Sequence, residues 1–331
     1  MRNRHVNEKV KFEINPFSLE DVRLLDGPFK VLQEGNHHYL IKLEADRMLY
    51  NHRTNAGLPS LTKPLGSCEA PSMDIRGQFT GHYLSACALM YASTGDESLK
   101  IKSAFIVSEL SRCQDALGGE YLSAFPESFF DRLEKGERMW ASYYVVHKVM
   151  AGLYDQYSLC GNLQALDVLK KMASYFRKRI AKVPTSVWDN IVASHEYGGF
   201  GEVMYNLYSA TGDPNHLWLA QKFDQPAFTD PLVSKHNDIA DMHANTHIPV
   251  ISGIASAYEI SGDKKYKDIS VNFWNCVVDK RSYVTGGSNS TEWFWKPETM
   301  PRTLSPYTQE FCTSYNMLKL TRHLFHWTAD I

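Results

Sequence analysis

Two side chains near the carboxyl end have the types and spacing for metal chemistry. They are Glu310 and Cys312, in the stretch SPYTQEFCTSYNMLKLTRHLFHWTADI from Ser305 to Ile331. They stand just ahead of an apolar run in which Met317, Leu320, Leu324 and Trp327 recur at helical spacing, so both are expected at the start of a helix. The unpaired N–H groups and positive dipole end of a helix favour a carboxylate and lower a thiol pKa, the conditions under which sulfur ligates a metal. Residues two apart on a regular helix point away from each other, so the pair shares one target only if the turn into the helix bends them together. A plainer reading stands beside this one: Glu310 complements the dipole and Cys312 fills a small core position.

An acid for proton transfer is offered by the loop SYVTGGSNSTEWFWKPETM, where Glu292 lies between a Gly-Gly turn and Trp293, Phe294 and Trp295. A carboxyl group set against indole rings is partly desolvated, which raises its pKa toward the range of a general acid. The alternative is an exposed loop acid beside aromatics that cap the core. His243 and His247, in DMHANTHIPV, are four apart, but Pro249 argues against one helical face carrying both. Proline is tolerated in the first turn and pushes Ile248 toward extended geometry, so the helix is expected to start near Asn245 or Thr246, with His243 ahead of it and His247 pointing elsewhere. His147, in SYYVVHKVMAGLY, flanks a core stripe of Val146, Met150, Leu153 and Tyr157, and the small Ala151 leaves room beside its imidazole. His82, in RGQFTGHYLSA, is flanked by Gly77 and Gly81. Both histidines are open to reading as ligand-facing or as hydrogen-bonded surface or core residues. No GxGxxG, P-loop or nucleophile-elbow pattern supports nucleotide binding or serine-hydrolase chemistry.

The elements that must position these residues form a repeat. A helix ends in an aromatic, a turn of the form [ST/C]-G-[DN] follows, and a second helix begins. The turns are Thr94-Gly95-Asp96, Cys160-Gly161-Asn162, Thr211-Gly212-Asp213 and Ser261-Gly262-Asp263, each three residues after Tyr91, Tyr157, Tyr208 or Tyr258. Glycine at the C′ position followed by Asp or Asn as the next N-cap is the chemistry of a tight helical hairpin, and recurrence makes a repeat of αα-hairpins. A fifth copy begins at Trp327-Thr328-Ala329-Asp330. Ahead of the repeat, residues 1–35 read as an irregular lead-in, and His38–Tyr50 as a helix with Leu40, Leu43 and Met48 inward. The expectation is an all-α chain, an (α/α)6 barrel or toroid over residues 36–331. It is read as incomplete at the C-terminus, with ten helices counted where a ring needs twelve and an open seam beside the last helix. Long connections rich in Gly, Pro, Trp and acids join the hairpins, and all the candidate residues are expected to converge at one mouth of the ring.

Composition excludes several classes. Lys and Arg total 35 against 37 Asp and Glu, a net charge of -2, so no basic field argues for nucleic acid or an anionic membrane. The opening MRNRHVNEKVKFEINPF lacks the apolar core of a secretory leader, no run spans a bilayer, and a soluble protein is expected. The six cysteines lie apart without CxxC pairs, which fits buried thiols better than a disulfide framework. Eighteen Tyr, 16 Phe and 7 Trp suit a concave site that stacks against sugar rings, and equally a well-filled core.

Taken together, FSLEDVRLLDGPF, RGQFTGHYLSACALMYASTGD, GGEYLSAFPESFFDRLE, HKVMAGLYDQY, MHANTHIP, SYVTGG and EFCTSYNMLKLTRHLFHWT resemble glycoside hydrolase family 127 and its relatives. These are the β-L-arabinofuranosidase type, and the likeness is to the plant-like branch in particular. The resemblance covers nearly the whole chain. It implies retaining hydrolysis of a terminal L-arabinofuranose from a glycan or glycoconjugate, with Glu292 as general acid/base, Glu310 and Cys312 as zinc ligands, and His82, His147 and His243 as sugar contacts. The family nucleophile is a zinc-bound thiolate from a Cys-Cys pair well downstream of the last helix quoted. That pair is expected to be missing here together with half the zinc shell, leaving the chain inactive alone. Two other readings stay open. One is a sugar epimerase or isomerase using His147 and His243 as bases; the other is a non-catalytic carbohydrate-binding fragment.

Overall fold

The computed structural model describes residues 5–195, 197–234 and 238–330. By internal packing the chain divides into two compact units, Pro16–Tyr197 on one hand and Arg4–Asn15 with Gly198–Ile331 on the other. The first unit carries α1 (Pro28–Lys42), α2 (Ala45–Asn55), α3 (Gln78–Thr94), α4 (Glu97–Ala116), α5 (Ser128–Glu134), α6 (Ser142–Cys160), α7 (Leu163–Ile180) and α8 (Thr185–Ser194). The second carries α9 (Phe200–Thr211), α10 (Pro214–Gln221), α11 (Pro226–Val233), α12 (Ala244–Ser261), α13 (Lys264–Arg281) and α14 (Phe311–Thr328). Among the described residues there is no strand, and no helix is long and apolar enough to cross a membrane.

All four hairpin turns form as their residues dictate. Gly95, Gly161, Gly212 and Gly262 adopt left-handed conformations with φ of 78°, 70°, 70° and 72°. Asp96, Asn162, Asp213 and Asp263 then cap the next helix by accepting from the backbone N–H of Ser98, Ala165, Asn215 and Lys265. At the fifth turn Ala329 occupies the same left-handed position without glycine's freedom, at φ 55°.

In the first unit, α3 and α6 cross at two glycines. A methyl group on Gly81 would lie 2.1 Å from the carbonyl carbon and oxygen of Lys148, and one on Gly152 would lie 2.5 Å from the carbonyl oxygen of Gly81. Two backbones therefore touch directly at the residues next to His82 and His147. The helix read as His38–Tyr50 is instead broken between α1 and α2, and helix begins at Pro28 rather than after Gly35. The break has a tertiary cause. Lys102 of α4 donates its ammonium to the carbonyls of Leu40 (3.4 Å), Ile41 (2.7 Å) and Leu43, taking over acceptors that a continuous helix would have used.

In the second unit, the segment from His5 to Ile14 runs across the ends of three helices with a regular step. His5 and Val6 donate their N–H groups to the carbonyl of Ser209, Lys9 to that of Glu259, and Glu13 and Ile14 to that of His326. Each acceptor stands three residues before a left-handed turn residue, Gly212, Gly262 or Ala329. The strap thus satisfies the same C-terminal carbonyl on α9, α12 and α14 at intervals of four residues.

Of the six cysteines, Cys87, Cys113 and Cys276 are buried, as expected, and Cys160 is half-buried. Cys68 and Cys312 are exposed, which corrects the expectation of buried thiols: Cys68 lies in a short 3-10 turn, Ser67–Glu69, and Cys312 in the first turn of α14.

Candidate active site

The first unit presents two of the candidate histidines. His147 is buried on the second turn of α6, and its Nδ1–H donates to the carbonyl of Tyr144 at 2.7 Å. A carbonyl only accepts, so the proton is fixed on Nδ1. His82, next to the Gly81 crossing, keeps an accessible edge although protein crowds around it. That crowding, followed by the Lys148 ammonium, pulls its pKa below the usual histidine range, so the ring is neutral at pH 7. The start of α3 lacks a side-chain cap of its own. The buried Glu69 supplies one, accepting from the N–H groups of Gly77 (2.7 Å) and Phe79 (2.9 Å).

The second unit gathers the other four candidates. His243 is the N-cap of α12, which begins at Ala244, one or two residues earlier than expected. The imidazole makes this possible by accepting the Thr246 N–H on Nδ1 at 3.2 Å, a role usually filled by Ser, Asp or Asn. Pro249 is carried inside α12 at its sixth residue. His247 turns away, as expected: its Nδ1–H donates to the His243 carbonyl at 2.8 Å and its ring meets the edge of Phe228.

Glu292 sits on a two-residue turn closed by paired bonds between Ser290 and Trp293, at 3.1 Å in each direction. Both central residues are left-handed, Thr291 at φ 52° and Glu292 at φ 73°. This turn is laid against the start of α12. Ala244 donates to the Glu292 carbonyl at 2.8 Å, and Phe294 and Asp241–Met242 exchange further backbone bonds. The result places Glu292 Oε2 at 3.4 Å from His243 Nε2, long for a hydrogen bond but within ion-pair range. The Glu292 side chain is 65% exposed, so the desolvation by indoles expected from the sequence is absent. The turn explains why: Phe294 is buried in the core, Trp295 is tied by its indole N–H to the Ser290 carbonyl, and Trp293 lies edge-on to His243 instead of enclosing the acid.

Glu310 and Cys312 open α14 as predicted, with Glu310 at the N-cap and Cys312 exposed in the first turn. The residue that holds Glu310 escaped the sequence reading. Asn289, almost fully buried, accepts the Glu310 N–H at 3.0 Å and offers its amide to Oε2 at 3.4 Å. Asn316 likewise joins the two helix starts, donating to Asn245 Oδ1 at 2.9 Å and to the Cys312 carbonyl at 3.0 Å. The only local signal for either residue is a polar amide in an otherwise apolar or turn-rich stretch. Among the described residues no three His, Cys, Asp or Glu side chains are clustered to hold a metal, so Glu310 and Cys312 do not by themselves fit a zinc site.

Comparison with known proteins follows the same line. No curated protein matches the chain. Among solved structures, a GH127 β-L-arabinofuranosidase from Geobacillus stearothermophilus T6 superposes with a TM-score of 0.66 at 16% identity, over 93% of this chain and 53% of that one. A second GH127 β-arabinofuranosidase superposes with a TM-score of 0.65 at 17% identity, over 96% of this chain and 52% of that one. The chain thus spans about half the length of these relatives, and the likeness establishes the fold, all-α and of the α/α toroid type. The sequence signature of the β-L-arabinofuranosidase GH127 catalytic domain matches residues 21–331, and the chain belongs to glycoside hydrolase family 127.

Proposed function

We propose that this domain binds a terminal β-L-arabinofuranose of a glycan and that Glu292 is the acid/base that protonates the departing glycosidic oxygen. One observation carries the reading: an accessible carboxylate is held on a strained, fully hydrogen-bonded turn at 3.4 Å from His243 Nε2. Such a group reaches a substrate oxygen from water and takes its proton back from water after transfer. Sugar contacts by His82 and His147 are proposed on the family likeness, whereas His243 meets the substrate through the carboxylate its Nε2 faces. A neutral His82 and the fixed tautomer of His147 suit them to hydrogen bonding with hydroxyl groups. Zinc ligation by Glu310 and Cys312 needs more donors than the described residues cluster there, so no step is assigned to a metal. The family's thiolate nucleophile comes from adjacent cysteines, and the six cysteines of these 331 residues are all separate in sequence. Sugar binding and the acid half of glycoside cleavage are what these residues would supply.

The test is calorimetric binding of a five-membered iminosugar of L-arabino configuration, whose charged nitrogen imitates the cationic character of the transition state. Glu292→Gln, which removes the negative charge while keeping the shape, should weaken binding by about ten- to a hundredfold. Equal affinity in the variant, or no binding by the wild type, would overturn the reading.

A further inference from the structure

The imidazole of His243 is held so that only one tautomer is compatible with its surroundings. The Thr246 backbone N–H reaches Nδ1 at 3.2 Å, and the Thr246 hydroxyl lies 2.9 Å from the same atom. A backbone N–H can only donate, so Nδ1 carries no proton, and the hydroxyl must donate to it as well. The proton of the neutral ring is therefore on Nε2, the atom that faces Glu292 Oε2. The opposite edge of the site is also fixed: Trp293 stands at 87° to the imidazole with ring centres 5.6 Å apart, and residues 243 and 293 pair through their backbones.

We infer that His243 is a positioning residue for Glu292, an N–H donor of locked tautomer that occupies Oε2 and leaves Oε1 as the oxygen that carries the transferable proton. This rests on the acid/base reading of Glu292. A carboxyl group has two equivalent oxygens and turns about its last torsion, so a free glutamate on an exposed turn presents either oxygen in many directions. A donor on one oxygen removes that freedom, and the 3.4 Å separation shortens to a normal hydrogen bond once substrate closes the site to water. The helix cap is what makes the donor dependable. Moving the proton to Nδ1 would break the cap of α12, so the tautomer is selected by the fold.

The distinction between capping and donation gives the test. In His243→Asn the side-chain carbonyl keeps the cap, since Asn is among the best N-cap residues, but no N–H reaches Oε2; in His243→Ala both are lost. Nitrogen-15 NMR of the histidine-labelled protein should show an unprotonated Nδ1 and a protonated Nε2 for His243 at pH 7.5. Glu292→Ala should shift the Nε2–H proton while leaving Nδ1 unchanged. His243→Asn should melt with the wild type and still lose about tenfold in iminosugar affinity, whereas His243→Ala should also melt lower. A protonated Nδ1, an Nε2–H signal indifferent to Glu292→Ala, or full affinity in His243→Asn would overturn the inference. Failure of the acid/base reading is separately visible, because Glu292→Gln would then bind the iminosugar as well as the wild type while the tautomer pattern stood.

Discussion

Replacing Gly81 by alanine should separate the two helices that carry His82 and His147. The added methyl would sit 2.1 Å from the carbonyl carbon and oxygen of Lys148 and 2.5 Å from the Val149 nitrogen. Carbon needs roughly 3.5 Å from such atoms, so α3 and α6 must part by about an ångström, and neither obstacle is a side chain able to swing aside. Overpacking typically costs about 1–3 kcal/mol, and a clash with backbone belongs at or beyond the upper end. Alanine's better helix propensity returns about 1 kcal/mol, leaving a net loss of roughly 2 kcal/mol or more. The matched control is Gly35→Ala in α1, where the methyl meets nothing within 4 Å and only the propensity gain remains. At about 2–4 °C per kcal/mol for a unit of this size, Gly81→Ala should melt at least 4 °C below the wild type and Gly35→Ala a few degrees above it. Thermal scans of the three proteins decide the matter. If Gly81→Ala and Gly35→Ala moved together, direct backbone contact would not be what holds α3 on α6.

Two further outcomes follow from the same packing. Lys9→Pro deletes the strap N–H that reaches the Glu259 carbonyl at 2.8 Å and should lower the urea midpoint by an amount worth about 1–2 kcal/mol, whereas Lys9→Ala keeps the bond and should be near neutral; equal midpoints would show that the strap adds nothing. Neither ring nitrogen of the fully buried His52 has a hydrogen bond of ordinary length, and burial, opposed by the Met48 carbonyl, holds its pKa down to about 4 from 6.5. Because the folded value is the lower one, stability is complete above pH 6.5 and is lost as pH falls toward 4, by about 3 kcal/mol in all. His52→Leu should flatten that acid limb in urea titrations, and an unchanged slope would count against it.

What could be read from the sequence is what depends on neighbours along the chain. A glycine at C′ and an Asp or Asn after it settle a hairpin within four residues, so all four turns were legible. The same is true of the helix start at Glu310 and Cys312, where a periodic apolar run follows at once. Elements decided across the fold were not. The interruption between α1 and α2 depends on Lys102, some sixty residues away, and the burial of Asn289 depends on the start of α14. His243 was placed ahead of its helix but not as the cap itself, because histidine is an uncommon cap and proves itself only by its bond to Thr246. The environment of Glu292 was misread for a related reason. Adjacency to Trp293 and Trp295 in sequence says nothing of facing, and a two-residue turn sends neighbouring side chains in different directions.

That turn also shows where the chain departs from what is locally cheapest. Two-residue hairpins want left-handed backbone at both central positions, which Asn-Gly supplies without strain. Here the positions hold a β-branched threonine and a glutamate, at φ 52° and 73°, and the nearby Asp241 and Gln309 are left-handed too, at 62° and 75°. Such conformations cost about 1–3 kcal/mol each and persist only where the surroundings over-determine them. The surroundings do so: besides the paired Ser290–Trp293 bonds, Thr291 donates its N–H to Tyr307 at 3.0 Å and its hydroxyl to the Ser290 carbonyl at 2.6 Å, while the Glu292 carbonyl is taken by Ala244. Glycine at 292 would relieve the backbone and keep every one of these bonds. What it would remove is the carboxylate beside His243, 3.4 Å from its Nε2.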